Sequence, residues 1–542
     1  METVQEEIKC LEPNDHKLKQ IQETKRRNRI SYLIIAFNAG LSSLSDLAVQ
    51  YYFKDEMKIE PARLSQIMSF VMIPWMIKPL FGLMTDLLPV FGYRRKLYII
   101  LCGIINIICW LTLSSHKITI VWASILLFLI NAGLSFSTVI GEAIVVEISN
   151  LQKLDSEDDA KDYVSLFFFC KYVGALCSSF MKGVLVQHFA IRTVFFIVSF
   201  VPILLVTSGI ILLDRRVGSK YRDEEFADPE LNNSNNSISS GELLKDFFIF
   251  LFQKKVLIPT GFIILFMVTP SFGDPYFYFL TNELHLTPTN FGTISFFSNL
   301  MILIAIYSYK TWFKDVNFKK MIVIGSLLSF AFSFIAYILV TRISVKLGLN
   351  DFFLCLFSST ALSMIGEFIM MPMLALACQI CPKNLEGTVY SFFMSAINFG
   401  GIMSGLIGSF ITTSLGISSK DYHNLHILIL ISNFASLVPL PILYCIDNSY
   451  LEGEAADEEE LKALTHKEDD NQIAISKDTK GSSCSNNNEV KKLNDSMHVG
   501  SISHYNNQSN QNDYNTFPYH SQNEERIQRI LADGNFDKFK SK

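Results

Sequence analysis

Long apolar stretches, separated by short polar segments, constrain the fold of this sequence more than any other feature. About 20 consecutive apolar residues are the length that an α-helix needs to cross the hydrocarbon core of a bilayer. Only 18% of the 542 residues are charged and 50% are apolar, whereas soluble domains carry about 25% charged residues. The sequence therefore predicts an all-α membrane protein with many spanning helices.

Twelve spans are predicted, in two sets of six over residues 30–213 and 256–447. A polar segment over residues 214–255 divides the sets and is interpreted as a cytoplasmic linker. Residues 1–29 are predicted to be a cytoplasmic segment without a cleaved signal. Residues 448–542 are acidic and then Asn/Ser-rich, which predicts a disordered cytoplasmic tail. The predicted spans are 30–53, 64–82, 97–114, 119–147, 163–187, 193–213, 256–280, 289–309, 320–341, 351–378, 388–413 and 425–446.

Basic residues are concentrated in one set of alternate loops. Because cytoplasmic loops carry an excess of Lys and Arg, this set is predicted to face the cytosol, together with both termini. We expect a multi-pass protein of the plasma membrane, with an organellar membrane as the alternative. The basic residues of this set are Lys25, Arg26, Arg27, Arg29, Arg94, Arg95, Lys96, Arg215, Arg216, Lys310, Lys314, Lys319 and Lys320.

Ionisable side chains occur inside several predicted spans. Each costs roughly 2.5–3.5 kcal/mol at a helix centre, so each needs a partner, a watery cavity or a function. Asp46 and Asp274 fall at similar depth in the first span of each set, as expected for two repeated halves that face one cavity. Glu367 in the tenth span is a further candidate for a functional role. For all three acids the alternative is a hydrogen bond to a neighbouring helix.

The fourth and fifth spans each carry a polar face. On the fifth span Lys171 and Lys182 share one face, and Lys171 lies at nearly the depth of Glu142. Glu142 and Lys171 are therefore predicted to pair, either as a fixed salt bridge or as a pair in which an anionic substrate or a proton competes for one member. The polar stripe of the fourth span is predicted to face a cavity and consists of Asn131, Ser135, Thr138 and Glu142.

The seventh span is predicted to break beside Asp274, because Pro270 and Pro275 bracket it. Among the aromatic residues that follow, Tyr278 is the candidate to stack on a flat ring, although generic membrane aromatics are the alternative. In the eleventh span Gly401 and Gly405 are predicted to form a helix-packing contact.

The sequence contains no phosphate-binding glycine loop, zinc-helix signature or nucleophile elbow. It therefore predicts no catalytic site, no cofactor, no metal site and no nucleotide-driven pump. No basic face large enough for nucleic acid is present either.

The loop after the second span resembles the loop motif of the major facilitator superfamily. Its stretched form KPLFGLMTDLLPVFGYRRK, preceded by Pro74 and Trp75, is similar to that of the folate–biopterin transporter family. Further similarities are GEAIVVE at 141–147, where the family commonly has Asp at the position of Glu142, PSFGDPYFYF at 270–279 and EGTVYSFFMSAINFGG at 386–401. The motif residues are Gly82, Asp86, Gly92, Arg94 and Arg95.

This resemblance covers residues 30–447 and implies a major-facilitator-type fold of two six-helix bundles. It implies proton-coupled import of folates or pterins by alternating access, with Asp86, Arg94 and Arg95 latching the cytoplasmic side. Lys171 and Lys182 would attract the substrate carboxylate, and the interior acids would be partners for protons or pterin amines. The second half lacks a clear copy of the loop motif, so its gating contacts are expected to differ. The alternatives are a carrier for a different solute and a non-transporting receptor or scaffold whose tail recruits cytosolic partners.

Overall fold

The chain forms α-helices that run back and forth between two ends, joined by short turns. The computed structural model describes residues 23–115, 118–152, 157–214, 253–313, 316–380 and 386–445. We call the end where the first helix begins the near end, and the end where it finishes the far end. In these ranges the helices are α1 (Glu23–Glu56), α2 (Pro61–Val71), α3 (Ile73–Met76), α4 (Lys78–Leu87), α5 (Lys96–Ser114), α6 (Ile120–Gln152), α7 (Glu157–His188), α8 (Ile191–Ile211), α9 (Lys254–Met267), α10 (Gly273–Asn282), α11 (Pro288–Ser308), α12 (Phe318–Val340), α13 (Ile343–Lys346), α14 (Asp351–Ile380), α15 (Glu386–Ser414) and α16 (Leu425–Tyr444).

Ten helices of the described ranges are long and apolar enough to cross a membrane. They are α1, α5, α6, α7, α8, α11, α12, α14, α15 and α16. This confirms the prediction of a helical membrane protein. The helix α1 begins before the predicted start at residue 30, because the charged residues ahead of the apolar stretch continue the same helix. Residues 215–252 of the predicted linker and the predicted tail lie outside the described residues.

The other two predicted spans are interrupted helices. Residues 256–280 form α9 and α10, separated beside Asp274 as the flanking prolines predicted. Residues 64–82 were predicted as one span, yet they fall in the three segments α2, α3 and α4. Pro74 and Pro79 each lie in the first two positions of a new segment, where a missing backbone N–H does no harm.

The buried apolar side chains show how the two halves of the chain pack. We call residues 23–214 the first half and residues 253–445 the second half. One cluster lies at the far end and draws on both halves, including Leu64 and Leu428. Toward the near end there are two clusters, one around Ile99 of the first half and one around Ile322 of the second half. Among the described side chains, the apolar cluster that draws on both halves is therefore the one at the far end.

Small residues bring helices of the two halves close together at the far end. Gly183 of α7 lies against Gly292 of α11 with backbone touching backbone, and Gly405 of α15 lies against Ser69 of α2. The predicted contact of Gly401 with a neighbouring helix is wrong, since a Cβ built there meets nothing within 4 Å. Small side chains permit such approach in membranes, where packing rather than the hydrophobic effect drives helix association.

We expect Gly183→Ala to destabilise the protein by about 1–3 kcal/mol, the usual effect of overpacking. The added Cβ would lie 2.8 Å from the Cα of Gly292 and 2.7 Å from the carbonyl oxygen of Pro288. Gly261→Ala is the matched control, because a Cβ at Gly261 meets nothing within 4 Å. The thermal unfolding temperature of the detergent-purified protein is the measurement, and an unchanged value for Gly183→Ala would contradict the close contact.

Candidate functional site

The helix α7 places two lysines in the interior of the membrane region. Lys171 and Lys182 are both partly buried, and among the described residues neither has a carboxylate oxygen within 4.0 Å. Lys171 interacts at longer range with Glu142 and Glu367, and Lys182 with Asp46. Each lysine is therefore balanced by acids nearby without being held by a direct ion pair.

Glu142 forms its direct ion pair with Lys78, the first residue of α4. The Nζ of Lys78 lies 3.1 Å from Oε1 and 3.4 Å from Oε2 of Glu142. The side chain of Lys78 is 2% exposed and that of Glu142 is 21% exposed. The prediction that Glu142 pairs directly with Lys171 is therefore wrong. Helical periodicity predicts on which face of its helix a residue lies, but it does not predict which residue of a neighbouring helix contacts that face.

The polar stripe of α6 packs on α3 instead of facing an open cavity. Asn131 accepts a hydrogen bond from Trp75 Nε1 at 3.0 Å, and Ser135 donates to the carbonyl of Pro74 at 3.1 Å. Thr138 is buried and donates to the carbonyl of Leu134 in its own helix. The prediction that this stripe faces a cavity is therefore wrong for Asn131 and Ser135, which bond instead to Trp75 and Pro74 at the break in the second span.

The face of α7 that carries Lys171 and Lys182 packs closely against α1. Gly174 leaves no room for a Cβ beside the carbonyl of Phe37, and the hydroxyls of Ser43 and Ser178 lie 2.5 Å apart. Lys171 and Lys182 therefore flank a tight seam between two helices of the first half. Asp46, whose side chain is exposed, lies on α1 near Lys182.

The second half contributes Glu367 of α14. Its Oε1 accepts a hydrogen bond from the hydroxyl of Tyr172 at 3.4 Å, and it interacts electrostatically with Lys171. Because Tyr172 and Lys171 are adjacent on α7, the two halves meet here through one acid, one hydroxyl and one amine.

Asp274 and Tyr278 of α10 lie at the far end. Ser65 of α2 donates to Oδ2 of Asp274 at 2.6 Å, and the hydroxyl of Tyr278 donates to the carbonyl of Ile59 at 2.5 Å. Tyr278 is 1% exposed, so its ring lines no open cavity in this conformation. Both residues instead join the second half to the start of α2.

The loop motif forms a tight turn at the near end. Gly92 has a φ of 84°, a left-handed conformation that favours glycine, and Val90 pairs with Tyr93 across the turn. The backbone N–H groups of Arg95 and Lys96 donate to Asp214 at 2.7 and 3.0 Å.

The remaining motif residues have different surroundings. Gly82 lies in α4 beside Val139, and the side chain of Arg94 is exposed. The side chain of Asp86 lies outside the described part of the chain, so its predicted latch with Arg94 and Arg95 stays a prediction.

Sequence reasoning missed two polar residues that bond to neighbouring helices near the candidate site, Lys78 and Asn398. Lys78 lies within the predicted span 64–82, so the same argument that singled out the other interior charges also applies to it. Asn398 donates to the carbonyl of Trp75 at 3.0 Å. Its only sequence signal is an amide inside an apolar stretch, which does not identify its partner.

Helices of spanning length that carry charged side chains inside the membrane region define a multi-pass membrane protein. Solved structures support this class at the level of the fold. A nucleoside transporter, NupG, has a TM-score of 0.57 and 12% identity, over 77% of this chain and 99% of that chain. A D-xylose–proton symporter has a TM-score of 0.55 and 11% identity, over 78% and 97% of the two chains. These are transporters of the major facilitator type.

The chain belongs to the BT1 family, whose family model matches residues 39–464. A folate-biopterin transporter of Synechocystis sp. is 30% identical over 440 residues, covering 81% of this chain and 84% of the relative. Folate transporter 1 of Plasmodium falciparum is 32% identical over 427 residues, covering 78% and 80%. The predicted family resemblance is therefore confirmed, and the chain is a transport protein rather than an enzyme.

We expect Lys78→Met to lower the free energy of unfolding by about 3 kcal/mol, because Glu142 loses the partner that balances its charge. The double variant Lys78→Met/Glu142→Gln should recover most of the loss, since no uncompensated charge remains. Arg342→Met is the control, because Arg342 is 47% exposed and an exposed ion pair such as the one it forms with Asp351 contributes under about 1 kcal/mol. Unfolding of the purified protein in detergent measures all three, and a double variant no better than the single one would contradict the charge argument.

Proposed function

We propose that this protein is a secondary active transporter of folate, pterin or a related small aromatic anion. The observation that carries the proposal is the pair of lysines on α7 that have no direct carboxylate partner among the described residues. A cation inside the membrane region favours an anionic ligand, and an incoming carboxylate is the partner that both lysines lack. The names of the relatives from Synechocystis and Plasmodium support folate and pterin as the substrate class.

We propose twelve spans in two six-helix bundles that work by alternating access. The interrupted helices α2–α4 and α9–α10 then each count as one span. Support comes from the apolar core, which joins the halves at the far end and separates into two clusters toward the near end. A carrier closed on one side and parted on the other has this distribution of contacts.

Proton coupling is the energy source in this proposal. Asp274 is the acid on which it centres, because its described partner is the hydroxyl of Ser65 and no described basic group lies within 4.0 Å. Without a cation to hold it ionised, a carboxyl group inside the membrane region is able to take up a proton. Asp46, Glu142 and Glu367 are further candidates, each of which lies near a lysine.

The near end is proposed to face the cytosol, with both termini, in the plasma membrane. The excess of Lys and Arg in the loops at that end supports this orientation. Asp86, Arg94 and Arg95 would latch the same side. The acidic and Asn-rich residues after 447 would extend into the cytosol, where partners are free to bind them.

Replacing Lys171 tests the anion site. In liposomes we expect Lys171→Met to raise the KM for folate at least about tenfold, because a charge-assisted hydrogen bond contributes about 1.5–3 kcal/mol. Lys346→Met, in the exposed helix α13, is the control and should transport as the parent does. Competition of uptake by unlabelled folate, pterin, p-aminobenzoate and other organic anions gives the substrate range. If folate and pterin fail to compete while another anion succeeds, the substrate assignment is wrong.

The proton role has its own test. Uptake by the Asp274→Asn protein, measured at two pH values, should lose the pH dependence of the parent, because the amide takes up no proton in this range. Ser65→Ala is the matched control, since it removes the hydrogen bond to Asp274 and keeps the titratable group. Asp274→Asn transport that follows pH as the parent does would exclude Asp274 from coupling.

A further inference from the structure

The break between α2 and α4 leaves the backbone carbonyl of Trp75 without its α-helical donor. In a continuous α-helix the carbonyl of Trp75 would accept the N–H of residue 79. Residue 79 is Pro79, which has no N–H. Within a membrane such a group must find a partner elsewhere, since unsatisfied backbone polar groups are costly there.

Two side chains satisfy the carbonyl groups of this break, and they come from different halves. Ser135 of α6 in the first half donates to the carbonyl of Pro74 at 3.1 Å. Asn398 of α15 in the second half donates through Nδ2 to the carbonyl of Trp75 at 3.0 Å. The carbonyl of Pro74 is thus bonded to the first half and the carbonyl of Trp75 to the second half. In the proposed transport cycle these two halves move relative to each other.

The same break carries the charged groups of the candidate site. The indole of Trp75 is bonded to Asn131, and its ring faces the Nζ of Lys78 at 5.4 Å from the ring centroid. Lys78 in turn holds Glu142, and both interact with Lys171. A shift of the break would therefore move Lys78 and change the electrostatic balance around Lys171.

We infer that Asn398 is a positioning residue for transport, which holds the break in the second span to the second half in this conformation and releases it in the alternate one. The inference rests on the proposed alternating-access transport. A neutral amide suits the task, because a single amide hydrogen bond is weak enough to exchange for water when the halves part. An ion pair at this place would resist that exchange.

The test compares Asn398→Leu with Ser135→Ala. Both variants remove the donor to one carbonyl of the same break, but only Asn398 links the halves. The reporter is Ser409→Cys in the full-length chain, because Ser409 is 1% exposed and bonds to the carbonyl of Ala62 across the far end. Labelling by a membrane-impermeant thiol reagent, above the background of the chain without this cysteine, measures how often the far end opens.

We expect Asn398→Leu to raise the labelling rate roughly three- to tenfold, the range that one hydrogen bond supports. Ser135→Ala should lower the amount of folded protein without raising the labelling rate. In uptake assays Asn398→Leu should change the maximal rate more than the KM. Equal labelling rates for the two variants, or an unchanged rate for Asn398→Leu, would overturn the inference.

A second variant keeps the test decisive if Asn398→Leu accumulates poorly. Pro79→Ala supplies the missing N–H, so Asn398→Leu/Pro79→Ala should restore the amount of folded protein while the labelling rate stays high. If adding Pro79→Ala to Asn398→Leu returns the labelling rate to that of the parent, Asn398 serves only to satisfy a carbonyl and the inference fails. Labelling needs no substrate, so a parent that fails to take up folate would reject the proposed function and leave this test standing.

Discussion

The requirement that polar groups find partners inside a bilayer organises this structure. Backbone carbonyls freed by proline cannot turn to water in hydrocarbon, so neighbouring helices must supply donors. Ser135 and Asn398 do so at the break in the second span, and Ser404 donates to the carbonyl of Thr269 at the break in the seventh. The same helix, α15, therefore stabilises both interrupted spans. Irregular backbone at membrane depth is compatible with this fold because each break lies against another helix.

Charged side chains inside the membrane region also need partners, but they find them in two different ways. Lys78 and Glu142 satisfy each other directly and fix α4 on α6. Lys171 and Lys182 receive only longer-range compensation from acids on other helices, including Glu367 of the second half. The molecule thus separates a structural ion pair from cations whose coordination is left incomplete. A ligand with a carboxylate gains most from the second kind of group, since no existing ion pair has to be broken first.

The sequence predicts most of the helices and one of the two breaks, but it does not predict which side chains contact each other. Apolar stretches of spanning length predicted the helices, and Pro270 with Pro275 predicted the break beside Asp274. The three segments of the second span were missed, although Pro74 and Pro79 mark them, because hydropathy averages across a short break. Periodicity placed Glu142 on a polar face of α6 but gave no information on which neighbouring helix meets that face. Contacts between the halves, such as that of Asn398, depend on helix packing that no single sequence segment encodes.

The seam between the two halves is built from contacts that are easy to exchange. Several ion pairs lie within one half, among them Lys54 with Asp55, Lys78 with Glu142, Arg192 with Glu56, and Arg342 with Asp351. The contacts across the seam include hydrogen bonds of neutral donors, such as Ser65 to Asp274 and Tyr278 to Ile59, and close approaches of glycine and serine. A hydrogen bond between neutral groups, such as that of Tyr278, contributes only about 1 kcal/mol net, because water replaces it well when the seam opens, whereas one to a carboxylate contributes about 1.5–3 kcal/mol. Between the halves the hydrogen bonds have neutral donors, whereas the direct ion pair of Lys78 with Glu142 lies within the first half. This distribution favours motion of each half as a unit, which is what the proposed alternating access requires.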